Sequence, residues 1–284
     1  MKLTSLPPPS SLNKLLSFDF DDTLFDILYP GHVPEEFFEL INSWRESYGV
    51  IWGINTGRSY NYLVEDYLTH VKAPFAPDFV ITTERNIHLT DQNLHLRPLQ
   101  SWNDACSMAH ERLFRHHRTL LENIMVSIDE AYPNLIWWRQ QDDPYSIEVE
   151  HPLDLDAISD IIMPAIEPYS DISTQRAGPY LRFCHAEYNK GSALAHVLKL
   201  LNIREDNTFI AGDGHNDMDA IKTNPLAQCA CPSNGAIPLQ ELVLSRGGYV
   251  STYAKTKGLA DILNNFVLPW LKTTNDQIKG GTTL

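Results

Sequence analysis

Short apolar runs that end abruptly in polar loops alternate with helical stretches at both ends of this chain, and the alternation breaks off in the middle. Leu15-Leu16-Ser17-Phe18 is the first such run, closed at once by acids. A continuous apolar run of this kind suits a strand buried on both faces, as in a parallel sheet. Pro34 can open a helix, and Phe37, Leu40, Ile41, Trp44 and Tyr48 follow at helical spacing until Gly49 stops it. Val50 to Ile54 reads as the next strand, Ser59 to Leu68 as a helix and Asp78 to Thr82 as a third strand. Strands alternating with helices predict a parallel sheet covered on both faces.

From Asn86 the pattern changes to hairpins. Asn86 to Leu89 and Leu94 to Leu96 flank the turn Thr90-Asp91-Gln92-Asn93. A helical stretch from Trp102 to about His117 follows, then a hairpin of Leu135 to Gln140 with Tyr145 to Glu150. A short helix near Leu153 to Ile166 precedes a third hairpin, Asp171 to Arg176 with Tyr180 to His185. At Asn189 the alternation returns: a helix through Ala193 to Leu201, a strand Thr208 to Ala211, a helix opening at Met218, and late strands at Leu226 to Ala230 and Tyr249 to Ser251. The expected fold is α/β, a Rossmann-like parallel-sheet core interrupted by an inserted α+β module. The boundaries read as core at 1–83 and 188–272, insertion at 84–187, and a polar tail at 273–284.

Composition narrows the partners. The formal net charge is −14, a surface that repels nucleic acid and anionic lipid. An anionic substrate would therefore need a local positive site, built from a few lysines, backbone N–H groups or a cation. Met1 to Leu12 has a Pro7-Pro8-Pro9 run but no apolar h-region, so no secretory signal is read, and no stretch approaches the ~20 apolar residues of a membrane helix. Cys106, Cys184, Cys229 and Cys231 are scattered and lack the spacing of zinc or redox sites, which suits reduced thiols in a cytoplasmic protein.

The chemistry concentrates after the strands. Asp19-Phe20-Asp21-Asp22-Thr23 follows the first strand directly, and in an open α/β sheet ligands bind beyond the carboxyl ends of the strands. Two carboxylates so close repel unless a cation or a shared proton intervenes, and Mg2+ prefers such oxygen ligands. Ala211-Gly212-Asp213-Gly214-His215-Asn216-Asp217 brings two more acids to the same edge. Its glycine spacing lacks the third glycine of a dinucleotide fingerprint, and its acids would repel a pyrophosphate. Asn55-Thr56-Gly57-Arg58 ends the second strand with a hydroxyl and N–H groups able to hold a phosphate oxygen. Asn189-Lys190-Gly191-Ser192 sets a positive charge before a helix.

Taken in order, these residues resemble the haloacid dehalogenase-like hydrolase superfamily: Asp-x-Asp-x-Thr at 19–23, Thr56 after a strand, Lys190 before a helix and Gly-Asp-x-x-x-Asp at 212–217. The resemblance spans about Leu15 to Leu263. It implies Asp19 as the nucleophile of an aspartyl-phosphate pathway and Asp21 as the acid that protonates the leaving oxygen and then activates water. It implies Mg2+ held by the Asp19 side chain, the Asp21 carbonyl and the Asp213 side chain, with Asn216 and Asp217 orienting groups behind them. Thr56, Gly57, Arg58 and Lys190 are the implied phosphoryl contacts. Dehalogenases of this superfamily lack an acid where Asp21 stands, so phosphate ester chemistry is preferred.

The place of the insertion is similar to the α+β-capped branch that includes sucrose-phosphate and other sugar-phosphate phosphatases and phosphomannomutases. The expected activity is that of a Mg2+-dependent phosphatase acting on a small phosphorylated metabolite such as a sugar phosphate. A sugar phosphomutase and a non-catalytic phosphometabolite-binding protein are the alternatives, and the same core residues serve all three. In the insertion, Trp137, Trp138, Arg139, Arg182 and His185 could contact a sugar, with Arg182 the substrate contact singled out. Oligomeric state is not readable from the sequence.

Overall fold

The computed structural model describes residues 13–26, 28, 33, 34, 36–71, 73–93, 95–133, 135–138, 144–151 and 153–273. The Pro7 to Pro9 run, Arg139, the Gln141 to Asp143 turn and most of the polar tail lie outside the described residues, as does the side chain of Trp138.

The apolar run at the start forms β1 (Lys14–Phe18), buried along its whole length as a strand with neighbours on both faces must be. α1 (Phe37–Tyr48) turns Phe37, Ile41 and Trp44 onto the sheet, the i, i+4, i+7 stripe that the sequence shows. It stops at Gly49, whose left-handed φ of 65° lets its N–H close on the Arg45 carbonyl. β2 (Val50–Asn55), α2 (Tyr60–Asp66) and β3 (Phe79–Thr82) follow, and then β4 (Asn86–Thr90) and β5 (Leu96–Pro98).

Here the structure corrects the sequence reading. The first hairpin forms, but it extends the large sheet instead of joining the inserted module: β4 pairs antiparallel with β3, placing Phe79 opposite Leu89. The turn between them carries Thr83 and Glu84 at φ 49° and 65°, and its N–H groups bond back to the Arg58 and Thr56 carbonyls. Those bonds tie the hairpin to the strand before it, which a local hairpin signature does not reveal.

The insertion contains α3 (Gln100–His116), α4 (Arg118–Ala131), β6 (Ile136–Trp138), β7 (Ser146–Glu148), α5 (Asp154–Ile166), β8 (Ile172–Ala177) and β9 (Tyr180–His185). Its strands form an antiparallel sheet in the order β6-β7-β9-β8. Its core is its own: Leu121, Ile124 and Ile128 of α4 and Leu155, Ile158 and Ile162 of α5 pack against Ile147, Leu181 and Phe183. One compact unit runs Gln100–Asn189, and the other comprises the chain up to Leu99 and from Lys190 onward.

After the insertion come α6 (Lys190–Leu201), β10 (Thr208–Ala211), α7 (Asp217–Thr223), β11 (Gln228–Cys231), α8 (Ile237–Ser245), β12 (Tyr249–Val250) and α9 (Lys255–Ile262). Among the described residues the large sheet has the order β12-β11-β10-β1-β2-β3-β4-β5, parallel from β12 to β3. The α/β fold with a parallel sheet is thus as expected. Successive strands step away from β1 on one side as far as β5, and the chain then returns to β1's other side through β10. The order reverses at β1, and that is where a ligand crevice belongs.

Candidate active site at the reversal of strand order

Asp19 is the first residue past β1, and its N–H still reaches the Ala211 carbonyl of β10 at 2.8 Å. The parallel ladder therefore runs one step beyond the strand and fixes where the carboxylate emerges. The loop that follows is closed tightly: Asp22 N–H bonds Phe25 O at 2.7 Å, Phe25 N–H bonds Phe20 O at 2.8 Å, and the two phenyl rings stack at 4.9 Å. Asp22 takes φ 54° to make this turn.

Asp213 is the second residue past β10. Four residues on, the Asp217 carboxylate folds back, and its Oδ2 accepts the N–H groups of Asp213 at 3.1 Å and Gly214 at 2.9 Å. A β-carbon on Gly212 would land on that carboxylate, so the close approach needs glycine.

Lys190 opens α6 with its side chain 1% exposed. Its Nζ lies 2.6 Å from Asp19 Oδ1 and 2.6 Å from Asp217 Oδ1. One ammonium thus joins the loops after β1 and β10. Asp19 Oδ2 accepts no hydrogen bond among the described residues, which leaves it available at the sheet edge.

The electrostatics are unbalanced toward negative charge. Ligand atoms of Asp19, Asp213 and Asp217 all lie within 4.8 Å of one another. Burial pushes the Asp19 carboxyl well above the usual carboxylate range; Lys190 opposes the shift, and the neighbouring aspartates add to it. Burial, with Asp217 and Asp22 adding, raises Asp213 to about 7. Burial works against the Lys190 ammonium, yet Asp19, Asp217 and Glu84 overcome it and raise its pKa. Lys190 answers one of three carboxylates, and a divalent cation would answer the rest. The donors are all hard oxygens, and Asp19 Oδ2 has room for a ligand bond, so the residues fit Mg2+. Asp217 is the most occupied of the three, its oxygens taking Lys190 and two backbone N–H groups. Asp213 takes one amide at 3.0 Å and a long 3.4 Å contact from Thr23, so Asp19 and Asp213 are the better donors.

Thr56 stands at the same edge, fully buried, beyond β2. Its N–H continues the ladder to Ile81 O at 2.8 Å, and its hydroxyl oxygen accepts the Arg58 N–H at 3.1 Å. The N–H groups of Thr56 and Arg58, expected to be open to phosphate, are thus spent inside the turn, while the Thr56 hydroxyl proton remains to donate. Arg58, beyond Gly57, directs its guanidinium to Asp21 and Asp66. Asp21, half-buried, is the partner of Arg58 and not a carboxylate of the Asp19, Asp213 and Asp217 cluster. Asn216 donates to Glu84 Oε1 at 2.5 Å, fastening the loop after β10 to the β3–β4 turn. Arg182 lies in β9 of the inserted unit, paired in register with Ser146 and Gln175. In that unit the Trp137 indole donates to Asp129, and His185 N–H donates to the His110 ring at 3.1 Å.

A family model described as haloacid dehalogenase-like hydrolase matches residues 79–229, more than half of the chain. The chain belongs to the haloacid dehalogenase-like hydrolases. A sucrose-phosphatase from Synechocystis sp. PCC6803, solved with sucrose and phosphate, is similar in fold at TM-score 0.65 and 19% identity, covering 89% of this chain and 97% of its own. A phosphatase of the same superfamily from Bacteroides thetaiotaomicron gives TM-score 0.56 at 18% identity over 92% and 97% of the two chains. A haloacid dehalogenase-like hydrolase protein from Bacillus subtilis gives 0.58 at 15% identity over 93% and 94%. A search of curated protein sequences finds no significant match. Among the described residues no helix is long and apolar enough to cross a membrane.

Three residues around the candidate site escape the sequence reading: Glu84, Asn234 and Lys255. Asn234 Nδ2 reaches Asp213 Oδ2 at 3.0 Å, and Lys255 Nζ reaches Asp22 Oδ1 at 3.0 Å. A signal for Asn234 exists. Pro232-Ser233-Asn234-Gly235 follows β11 as the other motifs follow β1, β2 and β10, so the rule that selected Asp19 and Asp213 selects this turn as well.

Proposed function

We propose that the protein is a Mg2+-dependent phosphatase that cleaves a small phosphate monoester, a sugar phosphate in particular, through an aspartyl-phosphate at Asp19. The observation that carries the reading is the Lys190 ammonium bridging Asp19 Oδ1 and Asp217 Oδ1, which aims the remaining Asp19 oxygen outward. Asp19 Oδ2 attacks phosphorus and the bond to the leaving oxygen breaks. Asp21 gives that oxygen its proton, then takes one from the water that attacks the aspartyl-phosphate, releasing phosphate and restoring Asp19. The Thr56 hydroxyl and Lys190 hold phosphoryl oxygens, with Gly57 and Arg58 beside them. Asp19 and Asp213, with the Asp21 carbonyl, would hold Mg2+, whose charge would offset that on the phosphoryl oxygens. Asp217 orients Lys190 and the loop of Asp213; Asn216 holds that loop through Glu84.

The sugar-phosphate assignment draws on the fold similarity to the sucrose-phosphatase. In the same proposal the inserted unit serves as a cap, and its Arg182 contacts the organic part of the substrate. The four cysteines are buried and form no disulfide among the described residues, which suits a reducing, cytoplasmic setting.

Beryllofluoride with Mg2+ tests the reading: a complex bound at Asp19 is expected, and Asp19→Asn is expected to abolish Mg2+-dependent hydrolysis of p-nitrophenyl phosphate with the fold intact. Near-wild-type turnover by Asp19→Asn would remove Asp19 as nucleophile. Release of free phosphate from hexose phosphates, without an isomerised ester, separates the phosphatase from a phosphomutase.

A further inference from the structure

Asn234 occupies a junction of three segments. Its Nδ2 donates to Asp213 Oδ2 at 3.0 Å and to the Asp22 carbonyl at 3.1 Å, and its Oδ1 accepts the Lys255 N–H at 2.6 Å. Lys255, the first residue of α9, has φ 52°, and its side chain returns to Asp22 Oδ1 at 3.0 Å and Asp26 Oδ1 at 2.8 Å. Asp22 itself has φ 54°. Both left-handed residues on this junction are therefore joined to each other by an ion pair and to the same amide. A branched or charged residue holds such a backbone conformation only where its surroundings over-determine it.

We infer that Asn234 is a positioning residue for cation binding: its amide fixes the Asp213 carboxylate and, through Asp22, sets its distance from the Asp19 loop. The inference rests on the reading of Asp19 and Asp213 as Mg2+ donors. Among the described residues Thr23 Oγ1, at 3.4 Å from Asp213 Oδ1, is the other side-chain donor to this carboxylate, and it is long. Without the amide, the Asp213 carboxyl group loses its orientation. An outer hydrogen-bond partner of a metal ligand commonly governs about 10–100-fold in metal affinity.

The test is calorimetric titration of the full chain with MgCl2 alone, beside thermal unfolding in EDTA. Asn234→Ala is expected to weaken Mg2+ binding about tenfold or more. Lys255→Met removes the ion pairs but keeps the backbone N–H on Asn234, and it is expected to bind Mg2+ within about twofold of wild type while unfolding at a lower temperature in EDTA. Should Asn234→Ala not fold, Asn234→Ser keeps a polar side chain in the turn but is too short to span Asp213 and Lys255, and it is expected to show the same loss. Wild-type affinity in the Asn234 variant overturns this inference alone. Equal losses in the Asn234 and Lys255 variants also overturn it, because they report general loosening of the junction. No Mg2+ binding by the wild-type chain overturns this inference together with the cation reading beneath it.

Discussion

Arg58 grips Asp21 as a fork: Nε lies 2.8 and 2.9 Å from the two carboxylate oxygens and Nη2 lies 2.6 Å from Oδ1. Its other arm goes to Asp66, and its cation sits over Phe20 at 5.3 Å and Phe25 at 5.8 Å. A guanidinium held on three sides is a fixture of the protein, and Asp21 takes its direction from it.

Arg58→Ala should therefore misdirect Asp21, the proposed acid, more than it weakens substrate binding. For a hexose phosphate, kcat is expected to fall about tenfold, part of the roughly 10²–10⁴-fold that a positioned acid supplies. For p-nitrophenyl phosphate, whose leaving group needs little protonation, the fall should be smaller. Steady-state kinetics on both substrates decides; a matched rise in KM with unchanged kcat would instead mark Arg58 as a phosphate ligand.

Lys190→Met removes a buried ammonium from between two buried carboxylates. The expected cost is roughly 3–5 kcal/mol in urea unfolding, because Asp19 and Asp217 are left uncompensated. Adding Asp217→Asn to Lys190→Met should recover part of that stability, and a double-mutant cycle measures how much.

Gly212→Ala puts a methyl group where the Asp217 carboxylate lies. Displacing Asp217 should release the N–H groups of Asp213 and Gly214 and shift Lys190. A loss of kcat of about 10²-fold is expected, the scale of a misplacement of roughly 1 Å. Turnover close to wild type would show that the loop relaxes without cost.

His88 stacks on Tyr60 at 4.5 Å, and burial holds its pKa below the ordinary 6.5. As pH falls through 6.5 the unfolded chain takes up this proton before the folded one, so His88 makes stability decline on acidification. Urea midpoints across pH 5 to 7.5, a window of about one to two units around that value, should fall less steeply for His88→Phe than for wild type. Parallel curves would show that His88 contributes nothing to the slope.

The parallel strands are legible because an unbroken apolar run that stops at acids is too short for a helix and too apolar for a surface loop. The site's acids are legible because they stand where those runs stop. α4 is missing from the sequence reading, although Leu121, Ile124, Met125 and Ile128 carry the helical spacing, because that reading ends the helix at His117. The structure starts a second helix one residue later, with Leu121 N–H on the His117 carbonyl at 3.0 Å. The sheet that β4 joins is not legible, since a hairpin's residues describe its turn and not the strand it will lie beside. Nor is Arg58's hold on Asp21, which depends on how two loops fold toward each other and not on either motif alone.

The insertion enters and leaves through tied ends. Leu99 N–H is fastened to the Ile87 carbonyl at 2.8 Å, and the Lys190 carbonyl is fastened to Asn55 Nδ2 at 3.1 Å. Everything between these two knots has its own core, so it is a cassette. A different cassette spliced between them would inherit Lys190 already locked into place, so the bridge from Asp19 to Asp217 does not depend on what the insertion contains.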